Sequence, residues 1–272
     1  MSRPDPAPDP VARFLRLVTG PEPALDEGAL AIAAGAGAGP AAADRARAEL
    51  DELADGVDGL DALLHRLFTD AGFTGNTAAY ADPRNSDLTE VLARRTGIPI
   101  TLSVVTIEVG RRAGIVLEGV GMPGHFLVRE PGSHRHIDVF DRGRRLDTAG
   151  CEARFRSSTG AGPEVPFGPE LLPRTSTRQI LARMLENLRA IHSRSSDHVN
   201  LEWVLRMRLG LRHRGPELIR ELGDVLAAQA RWDEAARLME SWVDGPGRGA
   251  RIEPEVLDEV RVEARKHRAH LN

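Results

Sequence analysis

The 272-residue chain is 41% apolar and 28% charged, a globular balance long enough to bury a core without a disulfide or a structural metal. Its 36 basic and 40 acidic side chains leave a net charge of −4 with no long run of one sign, which argues against gripping nucleic acid or an anionic membrane. Cys151 is the only cysteine, excluding an intrachain disulfide, a four-cysteine metal site and a C-x-x-C redox pair.

Residues 1–10 are acidic and proline-punctuated, the composition of a disordered tail and not of a signal peptide. The bland stretch Ala29–Ala43 is too short and too weakly apolar to span a bilayer, so a cytoplasmic protein is expected. Helices are predicted at 11–19, 25–34 and 41–70, the last broken near Gly56 or Gly59. Asp87-Leu88-Thr89-Glu90 predicts a capped helix to about Thr96. Pro99 suits the first turn of a second helix, whose apolar positions Leu102, Val105, Val109 and Ala113 repeat at helical spacing before Gly114. Strands are predicted at 116–120, 125–130 and 134–140, with a turn at Asp141–Arg144. After a Gly/Pro-rich loop at 159–173, helices are expected at 176–191, 200–211, 217–228, 233–243 and 254–271. One helical hairpin, Leu222-Gly223 to Glu234-Ala235, has the shape of a tetratricopeptide unit. Helices followed by consecutive strands give an α+β fold class. The expected domains are helices at 11–75 packed on a core at 76–158, then a repeat-like helical tail at 174–272.

A hairpin turning about Glu130–Ser133 would set His125 directly opposite Asp138, with about 5 Å between their Cβ atoms. Phe126, Val128, Ile137 and Val139 would then take the other face of a half-buried sheet. A carboxylate beside an imidazole fixes its tautomer and raises its basicity, as in a catalytic triad, although a bracing role in the hairpin is the commoner use of such a pair.

Three segments carry a resemblance: Tyr80-Ala81-Asp82-Pro83-Arg84-Asn85-Ser86, Gly97-Ile98-Pro99-Ile100-Thr101-Leu102-Ser103, and Gly119-Val120-Gly121-Met122-Pro123-Gly124-His125-Phe126-Leu127-Val128. With Ile137-Asp138-Val139-Phe140 and Gly143, they resemble the SirB-type branch of the transglutaminase-like superfamily, over roughly residues 10–245. The resemblance implies a papain-like α+β core, a tetratricopeptide-like tail, and a cysteine, histidine and aspartate site. His125 and Asp138 fall on the histidine and aspartate positions. The cysteine position falls on Pro99, which has no nucleophilic atom.

Substitutes are poor. Ser103 lies one turn deeper on roughly the face of Pro99 and is better placed to bond a backbone carbonyl. Cys151, in an apparent loop, would reverse the chain order of the triad. A zinc set of His125, His134, His136 and Asp138 fails on reach, since His134 and Asp138 would lie about 13 Å apart along one strand. Neither metal nor cofactor is expected. Asn85 and Ser86 are assigned to closing a turn, Trp203, Trp232 and Trp242 to the core, and Arg111, Arg112, Arg142, Arg144 and Arg145 to solvated surface. These features favour a non-catalytic descendant of the fold that binds a protein partner. The alternative is a hydrolase or acyl-transfer enzyme using His125 and Asp138 with an unusual nucleophile or with water.

Overall fold

A computed structural model describes residues 9–211, 215–247 and 252–270; of the expected disordered tail, residues 1–8 lie outside the described residues. The chain clusters into two units, Glu22–Met184 and a second built from Met1–Pro21 with Leu185–Asn272. Helix α1 (Pro10–Thr19) belongs to the second; Pro10 opens it and Asp9 caps it, so the last two residues of the expected tail are part of this helix and its cap.

In the core unit, α2 (Leu25–Gly35), α3 (Pro40–Ala54) and α4 (Gly59–His65) come first. Gly56 and Gly59, at φ +67° and +86°, separate α3 from α4 with left-handed backbone that a side chain would strain. A wide helical turn follows over Arg66–Asp70. Strand β1 (Thr74–Gly75) pairs in parallel with β2 (Thr96–Gly97), with α5 (Leu88–Arg94) between them in sequence. Asp87 caps α5 as the sequence predicts, its carboxylate accepting from Thr89 N at 2.8 Å and Glu90 N at 3.3 Å.

Helix α6 (Pro99–Arg112) carries Pro99 at its first position. It is not amphipathic as expected. From Pro99 to Gly110 every residue but Ile107 is buried, the pattern of a helix enclosed on all sides. Arg112 is not solvated surface either: its guanidinium holds Asp26 of α2 at 2.6 Å, Asp51 of α3 at 2.7 Å and Glu108 at 2.6 Å. Arginine's forked donors let one side chain tie three helices together.

The sheet runs β6-β5-β4-β3-β7, all antiparallel. Its strands are β3 (Glu118–Met122), β4 (His125–Arg129), β5 (His136–Asp138) and β6 (Arg144–Leu146), then, after α7 (Thr148–Thr159), β7 (Arg174–Thr175). Pro123 and Gly124 close the β3–β4 hairpin, with Gly124 at φ +71°, the residue order of a type II turn. β3 begins two residues later than expected, β5 is shorter at both ends, and β6 and α7 were not anticipated. The sheet is covered on both faces rather than half-buried. Phe126, Val128, Ile137 and Val139 are enclosed on one side, while Val120, Met122, Leu127 and Leu146 pack with Cys151 and Phe155 of α7 on the other.

The helical unit holds α1, the part of α8 (Thr177–Arg194) from Leu185 onward, α9 (His198–Gly210), α10 (Pro216–Ala228), α11 (Trp232–Trp242) and α12 (Pro254–Ala269). Consecutive helices pack on each other: Leu201 and Leu205 meet Leu222, Val225 and Ala235, and Ile219, Met239 and Trp242 meet Val260 and Ala264. Gly223 lets Met239 lie against α10, where a Cβ would stand 2.2 Å from the methionine methyl. Trp242 is core as expected, whereas Trp232 is partly open and stacks on His270 at 4.1 Å. Trp203 donates its indole N–H to Asn200 at 3.0 Å. The expected end of the last helix, Leu271, lies outside the described residues.

Candidate functional site

His125 and Asp138 meet, but not directly across the strands. The register pairs Val128 with Ile137, a shift of two residues from the expected pairing. The turn does close at Glu130–Ser133, with Ser133 N on Glu130 O at 3.1 Å. The return side then spends extra residues in a loop, where Ser133 Oγ accepts from Arg135 N at 3.1 Å before β5 starts. A slip of two leaves every side chain on its face, whereas a slip of one would have separated the pair. The imidazole therefore reaches diagonally, and Nε2 lies 2.8 Å from Asp138 Oδ1.

Asp138 is fully enclosed and does more than orient a histidine. The same Oδ1 accepts from Phe140 N at 3.1 Å and Asp141 N at 3.2 Å, fastening the turn into β6. Its Oδ2 forms an ion pair with Arg154 Nε on α7 at 2.7 Å without accepting a hydrogen bond, and Arg154 Nη2 donates to Asp141 at 3.2 Å. Burial alone would raise the Asp138 carboxyl pKa. The hydrogen bond and charge of His125, the Arg154 guanidinium and the Asp141 amide outweigh it and hold the group below the usual carboxylate range. With Nε2 on Asp138, Nδ1 of His125 makes no hydrogen bond and is not sealed from solvent, which leaves one nitrogen able to take or give a proton.

The wall beside this pair is aromatic. Phe140 meets the His125 ring edge-on at 6.0 Å and the Tyr80 ring at 6.1 Å. Gly75 makes that packing possible, since a Cβ there would stand 2.5 Å from the Phe140 ring. Asn85 braces the Tyr80 loop: its amide donates to Ala79 O at 2.8 Å and Tyr80 O at 3.2 Å, and its oxygen accepts from Asn76 and Arg94, each at 3.0 Å. That is the turn-closing role expected of it. Ser86 is enclosed with its hydroxyl unbonded.

No alternative nucleophile approaches. Pro99 is enclosed at the head of α6, and Ser103 donates to Pro99 O at 2.8 Å, the backbone bond expected of it. Thr101 Oγ1 is sealed from solvent without a partner. Cys151 lies in α7, not in a loop. Asp147 caps that helix through Gly150 N at 2.8 Å, the one local signal that could have revealed it. The thiol is fully enclosed, and burial with the nearby Asp147 and Asp138 charges pushes its pKa up to about 11. His134 is exposed while His136 is enclosed with neither ring nitrogen bonded. Among the described residues no cluster of His, Cys, Asp and Glu is arranged to hold a metal ion. Sequence reasoning gave no role to Gly75, Arg154 and Arg183, and took Phe140 only as part of a motif. Of the first three, only Arg154 had a signal, through the cap of its helix.

A buried histidine–aspartate pair on an antiparallel hairpin, beside a buried helix headed by Pro99, defines the class. Residues 40–186, more than half of the chain, match the family described as the Transglutaminase-like superfamily, and the chain belongs to it. Its sequence is similar to a UPF0162 protein of Xylella fastidiosa (strain 9a5c), 40% identical over 155 residues, which is 55% of this chain and 54% of that protein. A UPF0162 protein of Pseudomonas aeruginosa is 36% identical over 151 residues, again 55% of this chain and 54% of the relative. The chain thus spans about half the length of these curated relatives. F-box only protein 21 of Mus musculus is 31% identical over 145 residues, 50% of this chain and 22% of that protein. Among solved structures, a crystal structure of menin, titled as revealing the binding site for Mixed Lineage Leukemia (MLL) protein, gives a TM-score of 0.43 at 10% identity, covering 91% of this chain and 68% of that one. No helix among the described residues is long and apolar enough to cross a membrane.

Proposed function

We propose that this chain is a non-catalytic transglutaminase-like protein of the SirB type that works by binding a protein partner, with its C-terminal helices as a tetratricopeptide-like tail. The observation that carries this reading is Pro99, enclosed at the head of α6, the position that the resemblance gives to the catalytic cysteine. The engagement of Asp138 with two turn amides and Arg154 supports it, because those contacts give the retained carboxylate a bracing role that needs no substrate. Reuse of a similar stretch as 22% of F-box only protein 21 suits a module employed within different proteins.

One observation favours the rival reading. Nδ1 of His125 is unbonded and unsealed, the arrangement of a general base acting on water. Assays of p-nitrophenyl ester hydrolysis and of amine incorporation into casein separate the two. The non-catalytic reading expects wild type and His125→Gln to be indistinguishable. Turnover by wild type that disappears in His125→Gln would overturn the reading.

A further inference from the structure

Arg183 stands apart from the charge pairs described above. Its Nη2 donates to His125 O at 2.8 Å and to Met122 O at 3.2 Å, clasping the carbonyls on either side of the turn that presents His125. Its guanidinium lies over the Phe126 ring, 5.4 Å from the centroid. Among the described residues no carboxylate pairs with it. Burial lowers its guanidinium pKa, with the Tyr80 phenol opposing. Nε and Nη1 have no protein acceptor and are not sealed from solvent.

Gly121 lies near Nη1, packed against Thr175. A Cβ on Gly121 would stand 3.8 Å from Nη1 and 2.9 Å from Thr175 Oγ1. Gly121 is not in left-handed backbone, so no turn geometry demands glycine there. Tyr80, which feels the Arg183 charge, is 51% exposed and packs on Phe140, whose ring also meets His125. A partly buried cation with free donors next to an open aromatic ring is a recognition surface with one polar and one apolar element.

We propose that Arg183 receives the carboxylate of an acidic side chain on a protein partner, while Tyr80 receives the apolar residue beside it. This rests on the protein-binding reading above. A single guanidinium matches a singly charged carboxylate, and an acidic chain of net charge −4 offers no wider positive field to draw a phosphate or nucleic acid. The partner's carboxylate would complete donors that the fold itself leaves unused.

The test titrates the full chain by NMR with two peptides, Ac-Leu-Glu-Leu-NH2 and Ac-Leu-Gln-Leu-NH2. The glutamate peptide should bind wild type about tenfold more tightly, the gain of one charge-assisted pair. Arg183→Met should bring that ratio to about one, and the Arg183 Nε–H resonance of wild type should move with the glutamate peptide alone. Because Arg183 also clasps the hairpin, the wild-type resonance decides the matter should Arg183→Met fail to fold. Equal affinity for the two peptides, a ratio that persists in Arg183→Met, or an unmoved Nε–H signal would each overturn the proposal. His125-dependent turnover is read in a separate assay and would overturn only the non-catalytic reading.

Discussion

The two units use the same ion pairs to different ends. In the core, Asp138 is fully enclosed and pairs with Arg154 of α7, while Arg112, its side chain 12% exposed, reaches Asp26 of α2 and Asp51 of α3. In the helical unit, Arg231 and Glu234 pair at 2.6 Å with 38% and 42% of their side chains exposed. Burial decides what such a pair is worth. An exposed pair trades water for a partner almost evenly, whereas an enclosed one leaves a stranded charge when its partner is removed.

The largest effect should follow from Asp138→Ala. It strands Arg154, the turn amides and His125 Nε2 together, and should cost about 3–5 kcal/mol. Guanidinium melts followed by near-UV circular dichroism would measure it, and a loss below about 1 kcal/mol would mean that the pair is no brace.

Acid should open the same gap more gradually. Asp138 is held below its ordinary 3.8, so its contribution is present above that value and is lost as pH falls through the lower folded one. His136 acts earlier. Burial and the facing Arg129 push its pKa below the ordinary 6.5, with Glu118 opposing. The unfolded chain therefore takes up this proton first, and stability should start to fall as pH drops below 6.5. His136→Leu should be at least as stable at neutral pH and should lose that early slope in urea melts run from pH 7 to 5. A slope unchanged by the substitution would assign it elsewhere.

The smallest effect belongs to the helical unit. Arg231→Gln should cost less than about 1 kcal/mol and should become indistinguishable from wild type in molar salt. A larger, salt-resistant loss would mean that the exposed pairs resemble the enclosed ones after all.

How much of this was legible in the sequence varies along the chain for local reasons. The Asp87 cap, Pro99 at a helix start and the turn at Pro123-Gly124 announce themselves because each residue has a conformational demand of its own. The helical tail was placed to within a few residues, since its apolar spacing is one-sided. Helix α6 misled because enclosure on every side erases the polar face that marks a period. β6 and α7 were missed because Arg144-Arg145-Leu146 is too short to alternate and the segment from Thr148 has almost no apolar stripe. The histidine–aspartate meeting was found through a register two residues off. It survived because side-chain direction repeats every second residue. Arg183 was invisible. Its place depends on carbonyls some 60 positions away, at Met122 and His125.

The seclusion of Cys151 has a practical consequence. It is the chain's single thiol, it is fully enclosed where α7 packs on the sheet, and its pKa of about 11 keeps it protonated at neutral pH. A thiol reagent can mark the protein only during the moments when that layer parts. Under native conditions the rate at which label accumulates is therefore a clock for core opening, set by the population of the opened form when closing outpaces labelling. The same silence makes any cysteine placed on the surface uniquely addressable, with no native residue to remove first.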